Sequence, residues 1–316
     1  MIKLIIQIPC YNEEKTLAKT IYDLPIAIDG VDCIEYVVIV DGCTDNTESV
    51  ARACGVHHII ILTRNGGLAR AFMSGIDYAI KQKANIIVNT DGDNQYRGVD
   101  IEKLIAPILQ GKADMVIGAR PIIKHPEFGI IKKILQKLGS FVLRCLSGVN
   151  IQDATSGFRA YSVETAMRLH LHSTFSHCIE SLIQVEYLGL RVLSVDIGIN
   201  PKTRESRLFK NVFQYVWKQT KTMLSMFVLY RPFVFFFWLG LLFIIPAILL
   251  GLHFIDMIYI HPKNLQRNMT PSLILAAVFS LCGFMSWSLG LIGSLVKSQR
   301  RLTEEQLYLM KKDRYG

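Results

Sequence analysis

Val88-Asn89-Thr90-Asp91-Gly92-Asp93-Asn94-Gln95-Tyr96 is the stretch that decides how this chain folds. The run leading into it, Ile86-Ile87-Val88, has the composition of a buried strand. It stops at two carboxylates one residue apart, Asp91 and Asp93. Alternate side chains of an extended chain share a direction, so the pair can aim at one point. Two anions that close repel unless a cation lies between them. Mg2+ and Mn2+ prefer carboxylate oxygens and commonly arrive with substrate phosphates. Gly92 removes side-chain bulk where a ligand would approach the backbone, and Gln95 adds a neutral oxygen. An isolated Asp-x-Asp is more often a solvated turn. The pattern on either side points the other way.

Upstream, apolar strand-like runs alternate with helical periodicity. Lys3 to Ile8 reads as a strand ended by Pro9, and Asn12 is placed to cap a helix carrying Leu17, Ile21 and Leu24. Tyr36 to Val40 reads as a strand ending in Asp41-Gly42-Cys43-Thr44-Asp45-Asn46-Thr47, with a helix through Ala53. His58 to Leu62 is a third strand, followed by Asn65-Gly66-Gly67 and a helix with Phe72, Ile76 and Ile80 on one face. After the aspartate pair come a helix from about Val99 to Leu109 and a strand at Met115 to Gly118. This alternation predicts an α/β fold, Rossmann-like, with a mostly parallel sheet covered on both faces. Ligands in such sheets bind beyond the carboxyl ends of the strands. Pro9 to Glu13, Asp41, Gly66-Gly67 and Asp91 to Gln95 all fall there. No Gly-x-Gly-x-x-Gly follows the first strand, which disfavours a dinucleotide site.

Downstream, residues 121–150 are basic and amphipathic, a surface helix or a segment lying near a membrane. Asp153-Ala154-Thr155-Ser156-Gly157-Phe158-Arg159-Ala160-Tyr161 brings an acid, a glycine turn and an arginine within reach of one pocket. A helix with Glu180 and Ile183, a strand from Leu190 to Ile197 and a basic loop, Lys202 to Arg207, follow. Leu208 to Tyr230 reads as an amphipathic helix for a bilayer interface. Pro232 to about His253 and Ser272 to about Val296 are each apolar and long enough to span a bilayer. The connector holds only Lys263 and Arg267 as fixed cations. The outer flanks hold Lys218, Lys221 and Arg231 before, and Lys297, Arg300, Arg301, Lys311, Lys312 and Arg314 after. The excess of cations on the outer flanks predicts both termini in the cytoplasm, with Leu302 to Met310 a cytoplasmic tail helix.

The whole-chain figures agree with this division. The 316 residues carry a net charge of +9, and the basic residues flank the apolar C-terminal segments. That pattern suits anionic lipid head groups and disfavours nucleic acid. The seven cysteines are scattered without zinc spacing, which predicts reduced thiols. Met1-Ile2-Lys3-Leu4 runs into the first strand, so no separate signal peptide is expected.

The constellation resembles the family 2 inverting glycosyltransferases of GT-A fold, and within them the dolichol-phosphate mannose synthase group of polyprenyl-phosphate sugar transferases. The matching pieces are Pro9-x-Tyr11-Asn12-Glu13, Asp41-Gly42-x-Thr44-Asp45-x-Thr47, Asn65-x-Gly67, Asp91-Gly92-Asp93-x-Gln95, Ser156-Gly157-Phe158-Arg159 and Arg204 to Arg207. There are departures. Val40 stands where the family usually has a first aspartate before Asp41, Gly92 where it more often has alanine, and Ser206-Arg207 where it usually has Ser-Lys. The resemblance implies a catalytic domain over residues 1–207, an amphipathic juxtamembrane segment over 208–231, two spans within 232–297 and a cytoplasmic tail over 298–316. It implies a nucleotide-sugar donor, GDP-mannose or a UDP-hexose, and a polyprenyl-phosphate acceptor. Donor contacts would come from Pro9, Tyr11, Asn12, Glu13, Asp41, Gly67, Asp91, Gly92 and Asp93. Asp91, Asp93 and Gln95 would hold Mg2+ or Mn2+. Arg120, Arg159, Arg204 and Arg207 are candidates for acceptor or donor phosphates, because guanidinium forks suit phosphate. Asp153, Asp93 and Arg159 are the catalytic candidates, with Asp153 a base or an orienting group. Two alternatives stand beside this: transfer to a hydroxyl of a lipid, and a non-catalytic membrane scaffold. Two spans per chain are compatible with a homo-oligomer.

Overall fold

A computed structural model describes residues 1–121, 153–171, 177–201, 220–221, 224–259 and 270–315. These divide into two compact units, residues 1–223 with 304–316, and residues 224–303.

The first unit is built on one sheet. Its strands are β1 (Lys3–Cys10), β2 (Cys33–Asp41), β3 (His58–Leu62), β4 (Ile86–Asn89), β5 (Met115–Ala119), β6 (Arg159–Ser162) and β7 (Val192–Asp196). They lie in the order β3-β2-β1-β4-β6-β5-β7. Pairing is parallel except for β6, which runs antiparallel to both β4 and β5. The helices are α1 (Leu17–Asp23), α2 (Thr47–Ala53), α3 (Leu68–Lys81), α4 (Ile101–Leu109), α5 (Val163–Arg168) and α6 (His177–Tyr187).

Strand alternation gives the two faces different chemistry. Leu4, Ile6, Ile8, Val38, Val40, Ile86 and Val88 form one apolar layer with Leu17, Ile101, Leu104 and Ile105. Each such fully buried side chain contributes roughly 1.5–3 kcal/mol. The other face carries a polar row. Gln7 pairs in register with Asn89, and Asn89 with Arg159, and all three are fully buried. Phe72 of α3 and His177 of α6 cover this row, their rings stacked at 4.3 Å.

Several expectations are corrected in detail. β1 continues through Pro9 to Cys10. The Gln7 carbonyl accepts from Thr90 on the β4 side. Two residues on, Pro9 faces that same side beyond the end of β4, so its missing N–H costs no ladder bond. Asn12 does not cap α1. It sits at φ 57°, and its side-chain oxygen accepts from the Thr44 amide at 2.8 Å.

The second unit holds α7 (Pro232–Tyr259) and the start of α8 (Thr270–Tyr315). Both are long and apolar enough to cross a membrane. They pack closely at glycines: a Cβ on Gly240 would lie 2.2 Å from the Trp287 ring, and one on Gly283 would lie 2.5 Å from Ile244. Small residues at helix crossings are the usual device for close packing in lipid. α7 continues through Pro246. The expected separate tail helix is instead the end of α8, which runs unbroken for 46 residues. No Gly or Pro stands between Lys297 and Tyr315 to stop it. Its length is about 69 Å at 1.5 Å per residue, more than twice the ~30 Å hydrocarbon core. The end of α8 lies in the first unit. There the Arg168 guanidinium sits 3.7 Å over the Tyr308 ring and pairs with Glu305 at 3.1 Å. Tyr308 hydroxyl donates to Glu164, and Lys311 pairs with Asp77 at 3.0 Å.

Candidate active site

The carboxyl ends of β1, β2 and β4 gather the motifs. After Asn89 the chain leaves β4 and turns through Asp91, Gly92 and Asp93, with Asn94 at φ 56°. One Asp93 oxygen accepts from the Gln95 amide at 3.1 Å, which fixes the turn. The Gln95 carbonyl accepts from the Asn200 amide. The Gly92 carbonyl is gripped by two hydroxyls of the α1 segment, Thr16 at 2.9 Å and Thr20 at 3.1 Å. Thr16 also donates to the Glu13 carboxylate at 2.9 Å. The space a Gly92 side chain would fill belongs to the protein: a Cβ there would lie 2.9 Å from the Cys10 sulfur. The expectation that Gly92 makes room for ligand is corrected accordingly.

Burial, and then the neighbouring Asp93 charge, push the Asp91 carboxyl up to about 7. A pair strained in this way fits a hard divalent cation, which would relieve both effects. Among the described residues no group of three or more His, Cys, Asp or Glu is placed to hold a metal. Two carboxylates that leave the remaining positions to water and phosphate oxygens match the habits of Mg2+ and Mn2+.

Asp41 lies buried at the end of β2, and both its oxygens are taken, by the Gly66 amide at 2.8 Å and the Gly67 amide at 3.0 Å. It shapes the turn into α3, and Val40 beside it is buried and apolar. Tyr11 is half exposed at the end of β1. Asn12 and Glu13 tie this loop to the next one, since the Glu13 amide donates to Thr47 at 2.8 Å.

On the far side of Asp91 lies the 153–158 loop. Asp153 is fully buried and clamped by Arg120, at 2.6 Å from Nε and 3.2 Å from Nη2. Burial alone would raise its carboxyl. The Arg120 guanidinium and the Thr155 hydroxyl and amide outweigh burial and hold it below the ordinary carboxylate value. A carboxylate so held is a poor proton acceptor, which favours the orienting role expected of Asp153 over that of a base. Arg159 is engaged within the protein. It is fully buried, and its donors go to the carbonyls of Ser156, Ala154 and Cys178, each at 2.7 Å, and to Ser181 at 3.0 Å. It braces the loop and α6. Arg204 and Arg207 lie outside the described residues.

The sequence reading missed Thr16, Thr20, Asn89 and Tyr96. The i, i+4 spacing of the threonines and the one polar side chain closing an apolar strand were the available signals.

Residues 5–169 match the profile of glycosyl transferase family 2. The chain is 26% identical over 200 residues to an undecaprenyl-phosphate mannosyltransferase of Micrococcus luteus, covering 60% of this chain and 80% of that one. It is 27% identical over 214 residues to a UDP-N-acetylglucosamine–dolichyl-phosphate N-acetylglucosaminyltransferase of Methanococcus voltae, covering 60% and 82%. Among solved structures, glucosyl-3-phosphoglycerate synthase from Mycobacterium tuberculosis, crystallised with Mn2+, UDP and glucosyl-3-phosphoglycerate, matches with a TM-score of 0.56 at 19% identity, over 72% of this chain and 78% of that one. That likeness establishes the GT-A-like fold.

Proposed function

Since the chain belongs to glycosyl transferase family 2, we propose that it is a membrane-bound inverting transferase moving a sugar from a nucleotide sugar to a polyprenyl phosphate. The observation that carries this reading is the Asp91–Asp93 pair at the carboxyl edge of the sheet, with Asp91 raised to about 7. Asp91 and Asp93 would hold Mg2+ or Mn2+, which when bound neutralises charge on the departing nucleoside diphosphate. Tyr11 stacks on the donor base from the end of β1. The Thr16 and Thr20 hydroxyls keep the acidic turn in place through the Gly92 carbonyl.

The acceptor side needs no base. A phosphate monoester has a second pKa of about 6 and is already largely ionised near neutral pH. An Asp153 locked to Arg120 fits that requirement and speaks against a hydroxyl acceptor. The pair sets the Arg120 guanidinium at the edge of the site, where its charge attracts a phosphate. Attack from the side opposite the leaving diphosphate inverts the anomeric carbon. Mannose and N-acetylglucosamine transferases both occur among the relatives.

The two apolar helices would tether the chain to a membrane, which raises the local concentration of a lipid phosphate. The catalytic domain precedes the first span and the tail follows the second. The ion pairs of Arg168 with Glu305 and of Lys311 with Asp77 support one side for both. The basic flanks make that side the cytoplasm.

The test incubates detergent-solubilised protein with Mn2+, undecaprenyl phosphate and a panel of radiolabelled nucleotide sugars. Label in the organic phase with one donor is expected and names the sugar. Label with none of them, under conditions where the nucleotide sugar is hydrolysed or untouched, overturns the reading.

A further inference from the structure

Gly157 is held by both of its peptide groups. Its carbonyl accepts from Asn89 Nδ2 at 2.8 Å, and its amide donates to the Tyr96 hydroxyl at 3.1 Å. Asn89 stands two residues before Asp91, and Tyr96 three residues after Asp93. The two ends of the acidic turn therefore grip the same glycine, which is 66 residues beyond Asp91 in the chain (157 − 91).

Each grip is itself fixed. Gln7 Nε2 donates to Asn89 Oδ1 at 3.0 Å, which orients the amide so that its donor faces Gly157. Gln7 and Asn89 are both fully buried. The Tyr96 ring is buried and stacks on Phe158 at 4.9 Å and 7°. Arg159 takes the Ala154 and Ser156 carbonyls of the same loop. The result is a close contact at the chemistry: a Cβ on Gly157 would lie 3.1 Å from both Asp91 oxygens. The Asp91 carboxylate rests on the bare Cα of Gly157.

We propose that Asn89 and Tyr96 are positioning residues of the transferase. They fasten the Asp153–Phe158 loop to the acidic turn and so set where the Asp91 carboxylate stands, both for a divalent cation and relative to the Asp153–Arg120 pair. This rests on the metal-assisted transfer proposed above. Neither side chain touches substrate in this scheme. Their effect passes through Gly157 to Asp91.

The test uses the full chain in detergent, with Mn2+ alone as the probe and free Mn2+ read by electron paramagnetic resonance. Tyr96→Phe removes one hydroxyl and keeps the stacked ring. Asn89→Asp replaces the donor that faces the Gly157 carbonyl. Asp93→Asn is the control for the site itself. Direct partners of metal ligands are worth about 10–100-fold in affinity. Tyr96 acts one contact further out, so Tyr96→Phe is expected to weaken Mn2+ binding by about five- to tenfold in a folded protein whose thermal midpoint falls by a few degrees, because the buried Gly157 N–H loses its partner. Saturating Mn2+ should then recover most of the turnover. Should Asn89→Asp fail to fold, Tyr96→Phe decides alone. Mn2+ affinity in Tyr96→Phe within twofold of wild type, while Asp93→Asn loses it, overturns the positioning role. Undiminished Mn2+ binding in Asp93→Asn overturns the underlying metal site instead.

Discussion

Lowering the pH should strip Mn2+ from the protein well before ordinary carboxylates titrate. Asp91 titrates at about 7, against roughly 3.9 in an unfolded chain. Burial is the larger cause and the Asp93 charge the next. A cation must displace the Asp91 proton, so affinity should fall about tenfold for each unit below pH 7 and level off above it. The same shift acts on the metal-free fold. A carboxyl raised in the folded state stabilises fully below the unfolded value, near pH 4, and that contribution is lost as pH rises through 7. Three units correspond to about 4 kcal/mol at 1.36 kcal/mol each. Partial exposure of Asp91 reduces this to about 2–3 kcal/mol. The metal-free thermal midpoint should therefore fall between pH 5 and pH 8, and Mn2+ should restore it at pH 8. The assay pairs Mn2+ titrations at half-unit pH steps with thermal melts. An affinity flat from pH 6 to pH 8, or a break below pH 5, would refute the assignment of strain to this pair.

Other consequences follow from the same contacts. Arg159→Met strands the buried carbonyls of Ala154 and Ser156 at about 1–3 kcal/mol each, while the Cys178 carbonyl keeps the Ser181 hydroxyl, so thermal melts should find the catalytic unit strongly destabilised. Asp153→Asn leaves Arg120 beside a neutral group. Turnover should fall, yet the pH–rate profile should keep its shape, because Asp153 is not the group whose ionisation is read. A C-terminal tag and the N-terminal domain should be cut by protease from the same side of sealed vesicles. Protection of one and not the other would break the two-span topology.

The elements that the sequence disclosed are those whose signal is local. Phe72, Ile76 and Ile80 repeat at helical spacing, and α3 carries them on its buried face. The aspartate pair was legible because a strand and two acids are adjacent in the chain. β6 was not, because it has four residues and turns Arg159 and Tyr161 toward the covering helices. Its burial rests on hydrogen bonds to carbonyls, which no periodicity records. The fate of Asp153 was hidden for the same reason. Its partner Arg120 stands 33 residues away, and no local pattern shows that the acid is paired. Asn89 looked like a strand end and proved to be the link to a distant glycine. The continuity of α8 is not visible in the apolar pattern, which ends near Val296, although the charged segment beyond it, without Gly or Pro, remains helical.

The most direct measurement compares wild-type protein with Asp93→Asn for transfer of radiolabelled sugar to undecaprenyl phosphate in the presence of Mn2+, both variants being confirmed in the membrane fraction. Lipid-linked label from the wild type and a loss of at least a hundredfold in Asp93→Asn is the predicted result. Near-normal transfer by Asp93→Asn would contradict the account.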